Sequence, residues 1–422
     1  MPMKKYLFLF FFSFLSNFSF AQDSLIIRQG LPNLYFDCEY CSQAFYRQEI
    51  NYVNFVRDRR LADIYVLLTE IKIGSGGSEY KLFFIGEKKF AGQNDTLVFQ
   101  SEPNVAEVKI REGILNIMKN GLLKYMLQTN LKSKIQYTID IASDSLHADQ
   151  VKDKWDFWTF NLNYNLYGQA NSYSSNVYLS SNVSANRTTE KFRTETGGWY
   201  SLNKQRFVID DSTTVYGMLS NLGAFHLLAF SIGKHFAVGH FATSFQSTQQ
   251  NLKNSISYCP AIEYNVFKYE EASRRQLRFI YRLGANYQEY FEKTIYNKTS
   301  ELYAAHSLVI QWSQIEKWGS LNLNAGGWHY LNYPSNYNMG FYPSINFNPL
   351  KGLRVGLSCG FSVVNNQFYL KASDVSPTDI LLNQVQLKTN YNYNYGFNVS
   401  YTFGSKYNNV INVRFNLDEN YW

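Results

Sequence analysis

The sequence predicts a mainly β protein, a transmembrane antiparallel β-barrel of about 12 strands preceded by a small α+β periplasmic domain. Three observations predict it. The segment from Asn390 to Phe403 alternates without a fault: Tyr391, Tyr393, Tyr395, Phe397, Val399, Tyr401 and Phe403 fall on one face and Asn, Gly, Ser or Thr on the other. Similar alternation recurs from Trp155 onward. The chain also opens with an export leader. Alternation alone fits a soluble sandwich equally well, so recurrence and destination decide for the membrane.

The leader is read first. Lys4 and Lys5 precede an apolar run from Tyr6 to Leu15, and Ser19 and Ala21 place small residues where a signal peptidase reads them. Residues 1–21 are therefore expected to be a signal peptide, with the mature chain starting at Gln22. No Cys lies near that point to carry a lipid anchor. Beyond the leader no apolar run approaches the roughly 20 residues of a spanning helix. Composition agrees with a barrel: aromatic residues make up 18%, with 34 Tyr and 33 Phe, yet mean hydropathy is −0.31, because each lipid-facing residue is followed by a lumen-facing one. The net charge of +7 is spread along the chain, which argues against nucleic acid as a partner.

Residues 22–145 read as the α+β domain. A helical stripe is expected over 47–61 (Ile50, Val53, Phe55, Val56, Leu61), then a buried strand over 63–69 and a Gly74–Gly77 turn. Strands over 79–86 and 96–99, a helix over 105–125 and a last strand over 134–141 complete it. The glycine cluster lacks the Gly-Lys-Ser/Thr ending of a phosphate loop and leads into a strand, so it reads as a hairpin turn. Cys38 and Cys41 fit a small disulfide in an oxidising compartment, a thiol redox couple after the short strand 34–37, or half of a zinc site. A zinc site would need two further ligands, and the domain offers no second Cys pair and only His147 at its edge; the redox couple stays open beside the preferred structural disulfide.

The barrel is expected over 155–415. Clear alternation covers 158–166, 177–184, 276–287, 353–363 and 390–403, and weaker segments lie near 190–206, 224–233, 235–248, 252–267, 299–314, 318–331 and 337–348. The total is an even number, as bacterial single-chain barrels require. Short turns are expected on the periplasmic side and long polar links such as 371–386 on the outside. Pro260 and Pro343 within strands suggest bulges.

Charges supply the internal check. Glu263, Arg278 and Arg282 all fall on polar faces, and a hairpin turning near Glu271 would bring Glu263 to Arg278 as a lumenal ion pair. Such a pair rigidifies a filled interior or, as a sharper alternative, forms a selectivity constriction. Cys259 is expected on the lumen face and Cys359 on the lipid face, both as free thiols. No Gly-x-Ser-x-Gly or His-Glu-x-x-His occurs, and His235 and His240 lie five apart on opposite faces. No catalytic residue, metal site or cofactor is therefore assigned.

Several stretches carry a resemblance: Phe36-Asp37-Cys38-Glu39-Tyr40-Cys41, Tyr46-Arg47-Gln48-Glu49-Ile50, Tyr52 to Arg59, Gly74 to Gly77, Arg274-Arg275-Gln276-Leu277, Tyr401 to Ser405, Asn408-Asn409-Val410 and Arg414-Phe415. The chain resembles a family of uncharacterised outer-membrane proteins of Bacteroidota and related Gram-negative bacteria. The resemblance implies location and architecture and carries no catalytic residues. More loosely, the helix followed by Ala62 to Val66 and a hairpin is similar to the N-terminal periplasmic domain of TolB-type and curli-secretion-type proteins. Relatives in the first group end on an aromatic residue read by the insertion machinery; here Phe415 matches, but the chain runs on to Trp422. The expected function is non-catalytic: a channel, secretion component or envelope anchor in the outer membrane. Its partners would be membrane lipid, the barrel-insertion machinery and a periplasmic protein. The alternatives are a barrel hydrolase with a rim site and a closed structural or adhesion barrel.

Overall fold

The computed structural model describes residues 30–38, 41–74, 76–136, 154–210, 212–365, 367–372, 388–405 and 407. The leader, His147, most of the 371–386 link and the Asn408–Val410 and Arg414–Phe415 stretches lie outside these. Two sheets organise the chain, one of five strands and one of twelve.

The smaller sheet has the order β2-β1-β3-β4-β5. Its strands are β1 (Asn33–Asp37), β2 (Asn54–Phe55), β3 (Ile64–Lys72), β4 (Ser78–Gly86) and β5 (Asp95–Ser101). β1 runs parallel to β2 and β3, and β3, β4 and β5 form an antiparallel meander. Helix α2 (Glu107–Met126) covers one face, where Leu82 and Phe84 of β4 meet Met118 and Leu122, all wholly buried. Approach is close: a Cβ on Gly121 would sit 2.2 Å from the Phe84 ring, so this helix position excludes any side chain.

Two expectations for this domain need correction. The helix expected over 47–61 is instead α1 (Gln43–Glu49), followed by β2 and a 3₁₀ turn at Arg59–Leu61. All of Val53, Asn54, Phe55 and Val56 are buried, and a surface helix cannot bury four successive residues, whereas a strand laid beside β1 can. The Asp58 carboxylate then accepts the Arg60 N–H at 2.8 Å and caps the 3₁₀ turn. The strand expected from 134 to 141 is also not formed in its described part, where Lys132–Lys134 makes a 3₁₀ turn; residues 137–141 lie outside the described set.

The larger sheet is an uninterrupted antiparallel meander of twelve strands in chain order. They are β6 (Trp158–Ala170), β7 (Ser174–Thr188), β8 (Phe192–Val208), β9 (Thr214–Ile232), β10 (Phe236–Ser247) and β11 (Leu252–Asn265), followed by β12 (Arg275–Tyr290), β13 (Ser300–Glu316), β14 (Gly319–Tyr330), β15 (Tyr337–Phe347), β16 (Leu353–Asn365) and β17 (Tyr391–Tyr401). Each overlaps one expected segment. Among the described residues no pairing joins β17 to β6. Neither proline makes a bulge: the β11–β12 register is the same on both sides of Pro260, and the β15–β16 register is the same on both sides of Pro343. The register shifts fall instead around the turn at 247–254, near strand ends where a shift breaks few ladder bonds.

The two faces differ sharply. One exposes large apolar side chains on every strand but β8 and β14, where Tyr200, Leu202, Leu321 and Leu323 are half-buried, with Leu162 at 81% and Tyr395 at 82%. Register places charged side chains on this face only toward strand ends, as at Arg187, Arg206, Arg275 and Glu289. The other face carries Arg193, Glu195, Glu263, Arg278, Arg282 and Glu301 along with Asn, Ser and Gly. No described helix is long and apolar enough to cross a membrane, which says nothing about crossing by strands.

Candidate functional site

The polar face of the twelve-stranded sheet, with what covers its two ends, is the candidate site. Glu263, Arg278 and Arg282 all lie on it, in the β11–β12 hairpin that turns at Tyr269–Glu271. The expected Glu263–Arg278 ion pair is not formed. Arg278 stands opposite Asn265, one row from Glu263, and faces Gln311 directly across β13. Its guanidinium donates to the Gln311 side chain, while Glu263 accepts the Tyr269 hydroxyl at 3.1 Å. Arg282 lies 4.0 Å over the Phe241 ring, a cation–π contact that reaches across β11. The Nε atoms of Arg278 and Arg282 are buried without a hydrogen-bond partner.

The N-terminal domain covers one end. Lys317, in the β13–β14 turn, pairs with Glu87 and lies 5.9 Å over the Tyr65 ring. Arg274, before β12, lies 5.9 Å over Phe83, and Arg60 donates to the Pro349 carbonyl at 3.0 Å. At the first strand, Thr159 donates to the Gly74 carbonyl at 2.8 Å. A Cβ on Gly74 would sit 2.0 Å from that of Thr188, so only glycine permits the approach. Beyond the last strand, Val56 forms a β-bridge with Tyr407. The domain thus touches several turns at this end and residues at both edges of the sheet.

At the opposite end the link after β16 folds back. Phe368, 4% exposed, packs among Tyr303, Tyr330 and Tyr333. Asn251 holds the link by donating to the Tyr369 carbonyl at 3.1 Å and the Glu292 carbonyl at 2.9 Å. Lys371 pairs with Glu292 at 2.8 Å. Glu301 accepts the phenols of Tyr290 and Tyr333 beside this cluster. The sequence reading gave these residues no role. The one local signal was the apolar Phe368-Tyr369-Leu370 run inside a polar link, which a solvated loop would not carry.

Cys38 and Cys41 form a disulfide between the end of β1 and the start of α1. Next to it, burial and then the Asp37 charge push the Tyr35 phenol up to about 12. Burial, followed by the same carboxylate, raises Tyr65 further still, and Tyr65 donates to Asp37 at 2.6 Å. Cys259 is buried on the polar face near Arg282, and Cys359 is exposed on the apolar face. Two histidine pairs that escaped the strand-by-strand reading form across strands on the apolar face. His226 and His240 have ring centroids 5.2 Å apart, and His306 and His329 are 5.3 Å apart. Register between strands, which the sequence does not display, makes these contacts. Among the described residues no group of three or more potential ligands gathers around a metal position. His226 contacts the Thr196 hydroxyl at 2.6 Å, and no serine–histidine contact accompanies it among the described residues.

No protein-family model matches this sequence, and comparison with curated proteins gives no significant match.

Proposed function

We propose that this chain is an outer-membrane β-barrel, closed between β6 and β17, that acts without catalysis as a gated passage, with its N-terminal domain across the periplasmic end. The observation that carries the reading is the sorting of charge by face. In water so large an exposed face of Leu, Tyr, Phe and Val would aggregate. In lipid it is the stable arrangement, and the charged face becomes the lumen.

Curvature supports closure. Twelve strands laid flat span roughly 50 Å at about 4.8 Å per gap, whereas a domain of this size is about 30 Å across. Yet the domain meets the start of β6 and the residues just after β17. The sheet must curl to bring its edges that close, and a bilayer penalises unpaired edge groups strongly enough to favour joining them. Barrel-insertion machinery would assemble it, and the periplasmic domain would be the surface offered to a protein partner. Cover at both ends, by the domain and by 367–372, makes the resting state closed, so passage requires one of them to move.

Planar-bilayer conductance of the full chain, with and without the paired substitutions Lys317→Glu and Arg60→Glu, tests this. Steady conductance that rises in the variant supports a passage capped by the domain. Silence from both proteins, each shown to be folded by heat-modifiable gel mobility, would replace it with the anchor reading.

A further inference from the structure

The junction between the domain and the sheet holds a cleft of about 470 Å³ whose charge is unbalanced. Beside Arg47, which has partners of its own, four arginines line it, Arg57, Arg59 and Arg60 on the domain and Arg354 at the start of β16, against two carboxylates among the described residues, Asp37 and Asp58. Both carboxylates are already engaged, Asp37 by the Tyr65 hydroxyl at 2.6 Å and Asp58 by the Arg60 N–H at 2.8 Å. Among the described residues, Arg57, Arg59 and Arg354 have no carboxylate within ion-pair distance. The Nη1 of Arg59 is buried without a hydrogen-bond partner, a state that is costly unless something else supplies an acceptor. Arg59 and Arg354 line this one cleft together with Tyr35, although they come from different parts of the chain.

We infer that this cleft binds a phosphate-bearing anion, held between Arg57 and Arg59 of the domain and Arg354 of the sheet, and that the bound anion fastens the domain to the sheet. Guanidinium forks match phosphate oxygens in pairs, and three arginines lining one cleft without an ion-pair partner among the described residues suit a doubly charged group better than a lone carboxylate. The Ser400 and Thr402 positions on the lining add neutral polar groups, and the cleft volume accommodates a small organic phosphate. Without the anion, like charges on the two sides of the junction repel. With it, the same charges become shared ligands, so the docked state binds and the undocked state does not. The inference rests on the capped-barrel reading for its gating consequence, but the binding itself does not require conduction.

A phosphate group at this end could come from a soluble phosphate ester or from a lipid headgroup, and the experiment separates them. Full-length protein in neutral detergent is titrated calorimetrically with inorganic pyrophosphate and with glycerol phosphate. In parallel, protein carrying Glu87→Cys and Lys317→Cys in neutral nanodiscs, with or without phosphatidylglycerol, is scored for cross-linking between the two positions as a measure of docking. Saturable binding of a soluble probe that weakens roughly tenfold in Arg59→Gln and in Arg354→Gln, but not in Arg206→Gln at the far end of the sheet, supports a soluble ligand. Cross-linking that rises only with phosphatidylglycerol, and loses that rise in the same two variants, supports a headgroup. Absence of both responses in folded protein, or responses that survive both substitutions, overturns the site. Binding that is intact in a protein that never conducts would overturn the passage and leave the anion site standing.

Discussion

The N-terminal domain and the twelve-stranded sheet use the same residue types in opposite ways. In the domain Leu34, Ile64, Leu82 and Leu122 are wholly buried. In the sheet Leu162, Phe397 and Tyr395 are 81%, 70% and 82% exposed. The domain folds by removing apolar surface from water. The sheet parts its apolar side chains from most of its charges onto opposite faces, and on the reading proposed above the apolar face is the outer one, stable because its surroundings are themselves apolar. On that reading one chain is built for two solvents, and the boundary between them is the row of turns where the domain docks.

The sharpest way to break the contrast is to substitute in each region the residue its solvent tolerates least. Phe84→Ala in the domain core is expected to cost about 3–5 kcal/mol, read as loss of the domain's denaturation transition while the heat-modifiable mobility of the sheet persists. Next, Leu308→Arg, at the middle of the apolar face of β13, is expected to cost about 2–4 kcal/mol of folding into vesicles. Asn163→Arg on the polar face of β6 should be nearly neutral, and equal losses at both positions would remove the lipid assignment.

Alkali should act on the domain. The phenols of half-buried Tyr35 and buried Tyr46 are pushed by desolvation from an ordinary 10.0 up to about 12. Their contribution to stability is fully present below about pH 10, because both states are then protonated. Above that the unfolded chain releases protons first, so stability falls as pH rises toward 12 and is lost through the folded value. A denaturation midpoint for the domain that declines between pH 10 and 12, and recovers in part in Tyr35→Phe, is the expected result. The smallest effect is at the boundary: Lys317→Ala removes a half-exposed ion pair with Glu87 and should change stability by less than about 1 kcal/mol. It should nonetheless raise proteolytic access to the junction, because docking rests on few contacts.

Much of this architecture was legible because alternation and helical periodicity are local. The twelve strands, the hairpin at Gly74–Gly77 and helix α2 all follow from spacing along the chain. The helix expected over 47–61 failed at Tyr52 to Val56, where aromatic and β-branched residues found a parallel neighbour in β1 instead. The Glu263–Arg278 pair failed for a related reason. Sharing a face is a property of the sequence, but sharing a row is a property of register, and register gave Arg278 to Gln311. The histidine pairs, the tucked Phe368 and the arginine cleft likewise join residues far apart in the chain.

By itself, then, the sequence determined which residues alternate, where strands and turns fall, and that charge and apolar surface would part to opposite faces, since each depends on a period of two residues. Only the tertiary structure decided what stands opposite what: the domain across the turns, the link folded onto Tyr303 and Tyr330, and Arg59 brought to one cleft with Arg354. Those pairings are set by strand register and by the closing of long loops, and neither leaves a mark in the local pattern of residues.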